Sequence, residues 1–522
     1  MRRSFRTLSV LVLAAVAALA WAQEGGTLTI VAAEEPDTLD PQKTSTAITG
    51  AIMRYAGDTL LTKDLDNAYA DGLASSWSAS EDGLTWTFEL KPGATFHDGS
   101  PLDAEAVRAS ILRAKDPATQ SPIAGNLFEP VETIEVVDAD TLRITLDRPF
   151  APFLDNLTDP RAAIVNVAAA QEMGDDFGRT PVLSGPWRVA EWVSGDRIVL
   201  ERNPDYAWGP SYTSGGAPSI ERIVFRVIPE SATQVAALET GEVDVLPNIP
   251  PTDVERLRND ERFNVVSFLR KGVGLFLEFN TQRAPFDDLR VRQALNYAID
   301  PEVVLQVALR GLGQVAHGVL PPSIWGYWEG IEDYDPGYDP ERALELLAEA
   351  GWTRSGDGPL TKDGVPFRFT LFTAPIDTWT RSAQIVQAQL AEIGIDMQIQ
   401  TYEFGTLLEN LMAGEHDADF MGYTYTNPDI VQLWFHSSNI GTGLAHSHFP
   451  SEELDALIEA SRTETDEARR LETYAEIQRY ISDQALWVPL WTNENFIAMS
   501  SRVSGAVVHP EGFLLLNDAT LE

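Results

Sequence analysis

The chain of 522 residues contains no cysteine, so it has no disulfide framework, no thiol nucleophile and no cysteine metal ligand. A protein of this length without disulfides has to hold itself together by burying a core, which its length permits. Positive charge is scarce: 38 Lys and Arg stand against 78 Asp and Glu, for a formal net charge of −40. Such a field repels nucleic acid and anionic lipid, which removes both from the expected partners. The acids are spread along the chain, as on a solubilising surface. Also missing are a G-x-S-x-G elbow, an H-E-x-x-H zinc helix and a Walker glycine loop. A secreted hydrolase built on paired carboxylates is the enzyme reading left over, and no pair of acids stands out for it. Long hydrophobic runs are absent as well. The run Leu8–Leu19 is well short of the roughly 20 residues needed to cross a bilayer, and no later stretch does better.

That short run is informative for another reason. Arg2, Arg3 and Arg6 precede it and Ala20-Trp21-Ala22 follows it as an A-x-A cleavage site, the three parts of a secretory signal. Residues 1–22 are therefore expected to be removed on export, through the Sec route or, given Arg2-Arg3-Ser4-Phe5, the twin-arginine route. The mature chain would begin at Gln23, with no cysteine to carry a lipid anchor, which points to a free periplasmic protein.

Composition is ordinary for a globular chain, with 44% hydrophobic and 22% charged residues, and no internal repeat is evident. Short strands mix with capped helices throughout. Gly26–Ala33 and Leu84–Leu90 read as strands, the second with Trp86 and Phe88 on one face. Hairpins are expected around Asp138-Ala139-Asp140 and around Ser194-Gly195-Asp196. Asp339-Pro340 opens a helix with Ala343, Leu344, Leu347 and Ala348 as its apolar face and Gly351 at its end. Asp300-Pro301 opens another that stops at Gly311, and Thr380–Ile393 ends at Gly394 before a strand at Asp396–Thr401. Ser451–Arg462 and Asp466–Ser482 are two further helices, followed by a strand at Leu486–Trp491. Helix leading into strand in this way indicates a layered α/β protein.

Ordered motifs run over nearly the whole mature chain: Gly26-Thr27-Leu28-Thr29-Ile30, Pro36-Asp37-Thr38-Leu39-Asp40-Pro41, Trp86-Thr87-Phe88, Phe96-His97-Asp98-Gly99 and Ser184-Gly185-Pro186-Trp187. Farther on stand Phe279-Asn280-Thr281, Pro285-Phe286-Asp287-Asp288-Leu289-Arg290-Val291-Arg292 and Trp487-Val488-Pro489-Leu490-Trp491. In this order they resemble the peptide/nickel solute-binding proteins of ABC importers, family 5. Read from the residues alone, His97 has a turn or core role, Arg290 and Arg292 make paired surface or inter-element charges, and Trp77, Trp86 and Trp187 belong to the core.

The resemblance implies an α/β, bilobal periplasmic-binding-protein fold of type II, large cluster C. The first lobe would comprise 23–64, 184–279 and 489–522, carrying an extra subdomain over 65–183, and the second lobe 280–488. The chain would cross between lobes near Glu278–Gln282 and Val488–Thr492, and closure would bury the solute. The implied protein is no enzyme and needs no cofactor. It would act as a monomer, with a small solute of peptide or sugar class and the ABC permease transmembrane subunits as partners.

The solute is less legible. Peptide-binding relatives carry a Gly-Trp-x-x-Asp pattern whose Asp pairs with the peptide α-amine. Here Tyr423 takes the aromatic place and Thr426 the place of that Asp, Asp429 is three residues off, and Leu411 and Phe420 stand where the family has arginines. The candidate ligand-binding residues are Asn280, Phe404, Tyr423, Thr424, Tyr425, Thr426, Asn427, Trp434 and Trp491, an aromatic and neutral-polar set. It leaves a peptide-like solute as the family default and an oligosaccharide as the sharper alternative. A nickel or metal chelate is a third reading, since His436, His446 and His448 lie close together, but H-x-H in a loop reads as solvated and no metal ligand is assigned.

Overall fold

The computed structural model describes residues 26–354, 356 and 358–522, so the expected signal at 1–22 lies outside the described residues. Two mixed sheets share one strand. In the first, the order is Phe263–Leu269, the outer half of Trp487–Ser500, Val245–Leu246, Thr27–Ala32, Arg222–Val227, Arg197–Arg202 and Trp187–Val193. In the second, it is Asp396–Thr401, Arg368–Thr373, Ala418–Met421, Leu275–Phe279, the inner half of Trp487–Ser500 and Gly313–Val315. A separate antiparallel sheet of Ala74–Ala79, Thr85–Leu90, Thr141–Leu146 and Val131–Val136 forms the extra subdomain. This is the bilobal α/β fold expected.

Each sheet has its own core, because each buries one periodic face. In the subdomain Trp86 and Phe88 alternate inward and pack with Val107 and Ile111 of the helix Ala104–Lys115. The first lobe packs Trp187, Phe225 and Ile198 together, and the second packs Phe276 flat on Trp487, ring centroids 3.5 Å apart. The helix signals hold. Asp339, Ser451 and Asp466 each cap the expected helix by accepting a backbone N–H, and Gly394 leaves its helix at φ +89°. One detail differs: Leu346 is buried on the helix Pro340–Glu349 while Ala348 faces solvent. The larger side chain takes the core position because it removes more apolar area from water. Arg292 is buried and donates to the carbonyls of Gln484 and Phe286, and His97 bonds the Gly185 carbonyl, so both serve structure. Among the described residues no helix is long and apolar enough to cross a membrane.

The shared strand is longer than its sequence suggests, reaching Ser500 instead of Trp491. Trp487–Trp491 pairs with Leu275–Phe279, whereas Glu494–Ser500 pairs with Phe263–Leu269. The chain thus changes sheets at Arg270–Gly274 and at Thr492–Asn493. Gly272 sits at φ +91°, where a side chain would also run into the Tyr423 backbone, and a side chain at Gly274 would meet the Trp491 ring.

A candidate solute cleft between the two sheets

Where the chain changes sheets, a cleft of about 630 Å³ opens. Its walls come from both sides. Asn248, Pro251, Thr252 and Phe496 belong to the first sheet's layer, and Arg310, Thr378, Trp379, Arg381, Phe404 and Tyr423 to the second's. Trp491 and Arg270 stand at the changeover itself. A hollow of about 740 Å³ elsewhere is lined by Tyr297, His317, Tyr338 and other residues of the second lobe, so closure between lobes would not enclose it.

The cleft has aromatic faces held rigidly from behind. Trp491 is buried and its indole N–H donates to Ser382 Oγ at 3.2 Å. Tyr423 packs on Trp434 with ring centroids 5.0 Å apart. Phe404 is 42% exposed, an unusual state for a Phe and one suited to a ligand surface.

Charge is the unexpected part. Arg270, Arg310 and Arg381 all line the cleft. Among the described residues none of the three has a carboxylate within 4.0 Å. In a chain with twice as many acids as bases, three unpaired guanidiniums in one hollow stand out. Arg270 bonds only the Thr424 hydroxyl, and burial alone pushes its guanidinium below its ordinary value. Among the described residues lining the cleft, Glu494 is the one acid.

Of the residues singled out from the sequence, Phe404, Tyr423 and Trp491 line this cleft, and Thr424 stands beside it on Arg270. The others lie elsewhere. Asn280 is buried and pins a turn, its Nδ2 donating to the carbonyls of Gly414 and His416. Tyr425 donates to the Val319 carbonyl at 2.6 Å, and Trp434 is fully buried in the core. Asn427 accepts from the Asp429 N–H, and Thr426 is exposed away from the lining. Asp429 is 3.0 Å from Arg462, which commits it as an ion-pair partner; burial still pushes its carboxyl up to about 6. The histidines also differ from expectation: His446 and His448 are buried, because Thr281 Oγ1 holds the carbonyls of Ser447 and His448. The three arginines carry no local signature. Only the fold gathers positions 270, 310 and 381.

A family model described as "Bacterial extracellular solute-binding proteins, family 5 Middle" matches residues 68–442. The chain belongs to that family. It is 30% identical over 472 residues to the dipeptide-binding protein of Escherichia coli K12, covering 84% of each chain. It is also 30% identical over 499 residues to the glutathione-binding protein GsiB of the same strain, covering 93% of this chain and 92% of that one. The solved structure of HbpA2 from Haemophilus parasuis shares the fold at a TM-score of 0.84 and 24% identity, covering 95% of this chain and all of that one. Family-5 proteins are extracytoplasmic solute-binding components of ABC importers. By its family this chain is a solute-binding component of an ABC importer.

Proposed function

We propose that this family-5 protein captures a carboxylate-bearing, peptide-like solute in the cleft between its lobes and hands it to an ABC permease in the periplasm, acting as a monomer after its signal is removed. The observation that supports this is the trio Arg270, Arg310 and Arg381, unpaired beside the aromatic faces of Trp379, Tyr423 and Trp491. A guanidinium matches a carboxylate in planar, two-pronged geometry, and such bonds strengthen as water is excluded. Glu494 is available for an amine of the same solute. The relatives named for a dipeptide and for glutathione fit this reading.

A neutral oligosaccharide would stack on the same rings but would offer the three guanidiniums no counter-charge, whereas a carboxylate would. A metal chelate would need carboxylates facing the arginines and falls under the same requirement. The lobes would hinge at Arg270–Gly274 and Thr492–Asn493, slightly offset from the 279/280 and 488/489 boundaries of the sequence reading. A solute that bridges the walls favours the closed form by its extra contacts there.

Titration calorimetry with short peptides, their C-terminal amides and a neutral disaccharide tests the reading. Free carboxylates should bind at least about tenfold tighter than the amides, about 1.4 kcal/mol. Tighter binding of the disaccharide than of any peptide would overturn it.

A further inference from the structure

Behind the floor of the cleft, two acids are buried with nothing to neutralise them. Glu278 on the strand Leu275–Phe279 lies directly across from Asp419 on the strand Ala418–Met421. Like charges in that position oppose strand pairing, and here both are within the core, 1% and 0% exposed. Glu278 Oε1 and both oxygens of Asp419 have no hydrogen-bond partner among the described residues. The same is true of both ring nitrogens of His446, which is 0% exposed. One donor atom from each of Glu278, Asp419 and His446 falls within 4.8 Å of the others. His416, also fully buried, places Nε2 3.5 Å from Asp419 Oδ1.

Buried polar atoms are almost always satisfied, so several orphans aimed at one point call for a partner. The shape of the demand is specific. Two carboxylates want a double positive charge, and an imidazole with both nitrogens free wants a Lewis acid. Among the described residues neither carboxylate has a lysine or arginine within 4.0 Å.

We propose that Glu278, Asp419 and His446 hold one divalent first-row metal ion, zinc by the nature of the donors, as a structural ion inside the second lobe. Nitrogen and carboxylate oxygen donors suit zinc, which takes such ligands at about 2.0–2.2 Å. His416 donates from Nε2 to the His446 carbonyl at 3.0 Å beside Asp419, so it orients the set without joining it. The site is separate from solute capture: none of Glu278, Asp419 and His446 lines the cleft. The alternative occupant is a proton shared by the two carboxyls.

The test uses the full chain purified without chelators. Metal analysis should find about one equivalent of zinc or a congener, retained through dialysis because the site is closed. The protein is then unfolded in urea with a chelator and refolded with or without zinc chloride. Refolding with zinc should raise the Tm by at least about 5 °C. The double variant Glu278→Gln/Asp419→Asn should carry no metal and show no zinc-dependent shift. Metal-free wild type that gains nothing from zinc, manganese or nickel on refolding would overturn the site in favour of the shared proton. So would metal retained in the double variant, which would place the ion elsewhere. If the double variant does not fold, the wild-type refolding pair decides alone.

Discussion

Two buried acidic sites in this molecule differ in one respect, and the difference governs their charge. Glu511, near the C-terminus, lies 2.6 Å from Arg54 and 2.7 Å from Lys271, with Lys63 close by. Burial alone would push its carboxyl up, but the three cations outweigh it and hold it well below the usual carboxylate range. Glu278 and Asp419 are as deeply buried and face each other with no side-chain cation beside them, and burial pushes both up. Burial therefore does not decide ionisation in this fold; the supplied partner does. The first site ties the helix Ala47–Ala56, the C-terminal segment and the connection at Lys271 into one unit. Its neighbour Arg270 is left free to line the cleft.

The comparison can be broken most sharply at Glu511. Glu511→Ala would leave Arg54 and Lys271 buried without counter-charge, and urea unfolding should show a loss of about 3–5 kcal/mol. A loss below about 1 kcal/mol would mean that the two sites do not differ as argued. The same contrast should appear in acid. A carboxyl held low in the folded state contributes stability above its unfolded value near 4.5, and that stability is lost as pH falls through the lower folded value. The stability gap between wild type and Glu511→Gln should therefore be full at pH 6 and shrink as the pH is taken below about 4.5. A gap that widens in acid would contradict the assignment.

The neighbours 270 and 271 sharpen it further. Lys271→Ala should destabilise the protein, leaving Glu511 with fewer cations, whereas Arg270→Ala should change stability by no more than about 0.5 kcal/mol. Arg270→Ala should instead weaken solute binding about tenfold, about 1.4 kcal/mol, by calorimetry. The smallest effect is expected at this pair: in metal-free protein Glu278→Gln/Asp419→Asn should unfold no earlier than wild type, as it removes two buried carboxyls that have no side-chain cation to pair with.

The sequence was legible where the signal is local. Caps at Asp339, Ser451 and Asp466 and the alternation of Trp86 with Phe88 each depend on a few adjacent residues, and the structure keeps them. It was opaque where tertiary pairing overrides local preference. Thr492-Asn493-Glu494-Asn495 is a poor strand former by composition, yet Gly313–Val315 and Phe263–Leu269 pair with that stretch and carry the strand on to Ser500. For the same reason the aromatic motif at Tyr423–Trp434 drew notice while the cleft arginines did not. Trp434 signals by its type, but Arg270, Arg310 and Arg381 become a group only through folding. His446 reads as solvated in its H-x-H loop, until the Thr281 clamp buries that loop.

The central claim is that the lobes hold a carboxylate-bearing solute against three arginines. Native mass spectrometry of the protein isolated from its own host, followed by release and identification of whatever it carries, tests this most directly. The account predicts a solute with at least one carboxylate, lost or much reduced when Arg270 and Arg381 are replaced by alanine. Recovery of an uncharged sugar, carried equally well by that double variant, would contradict it.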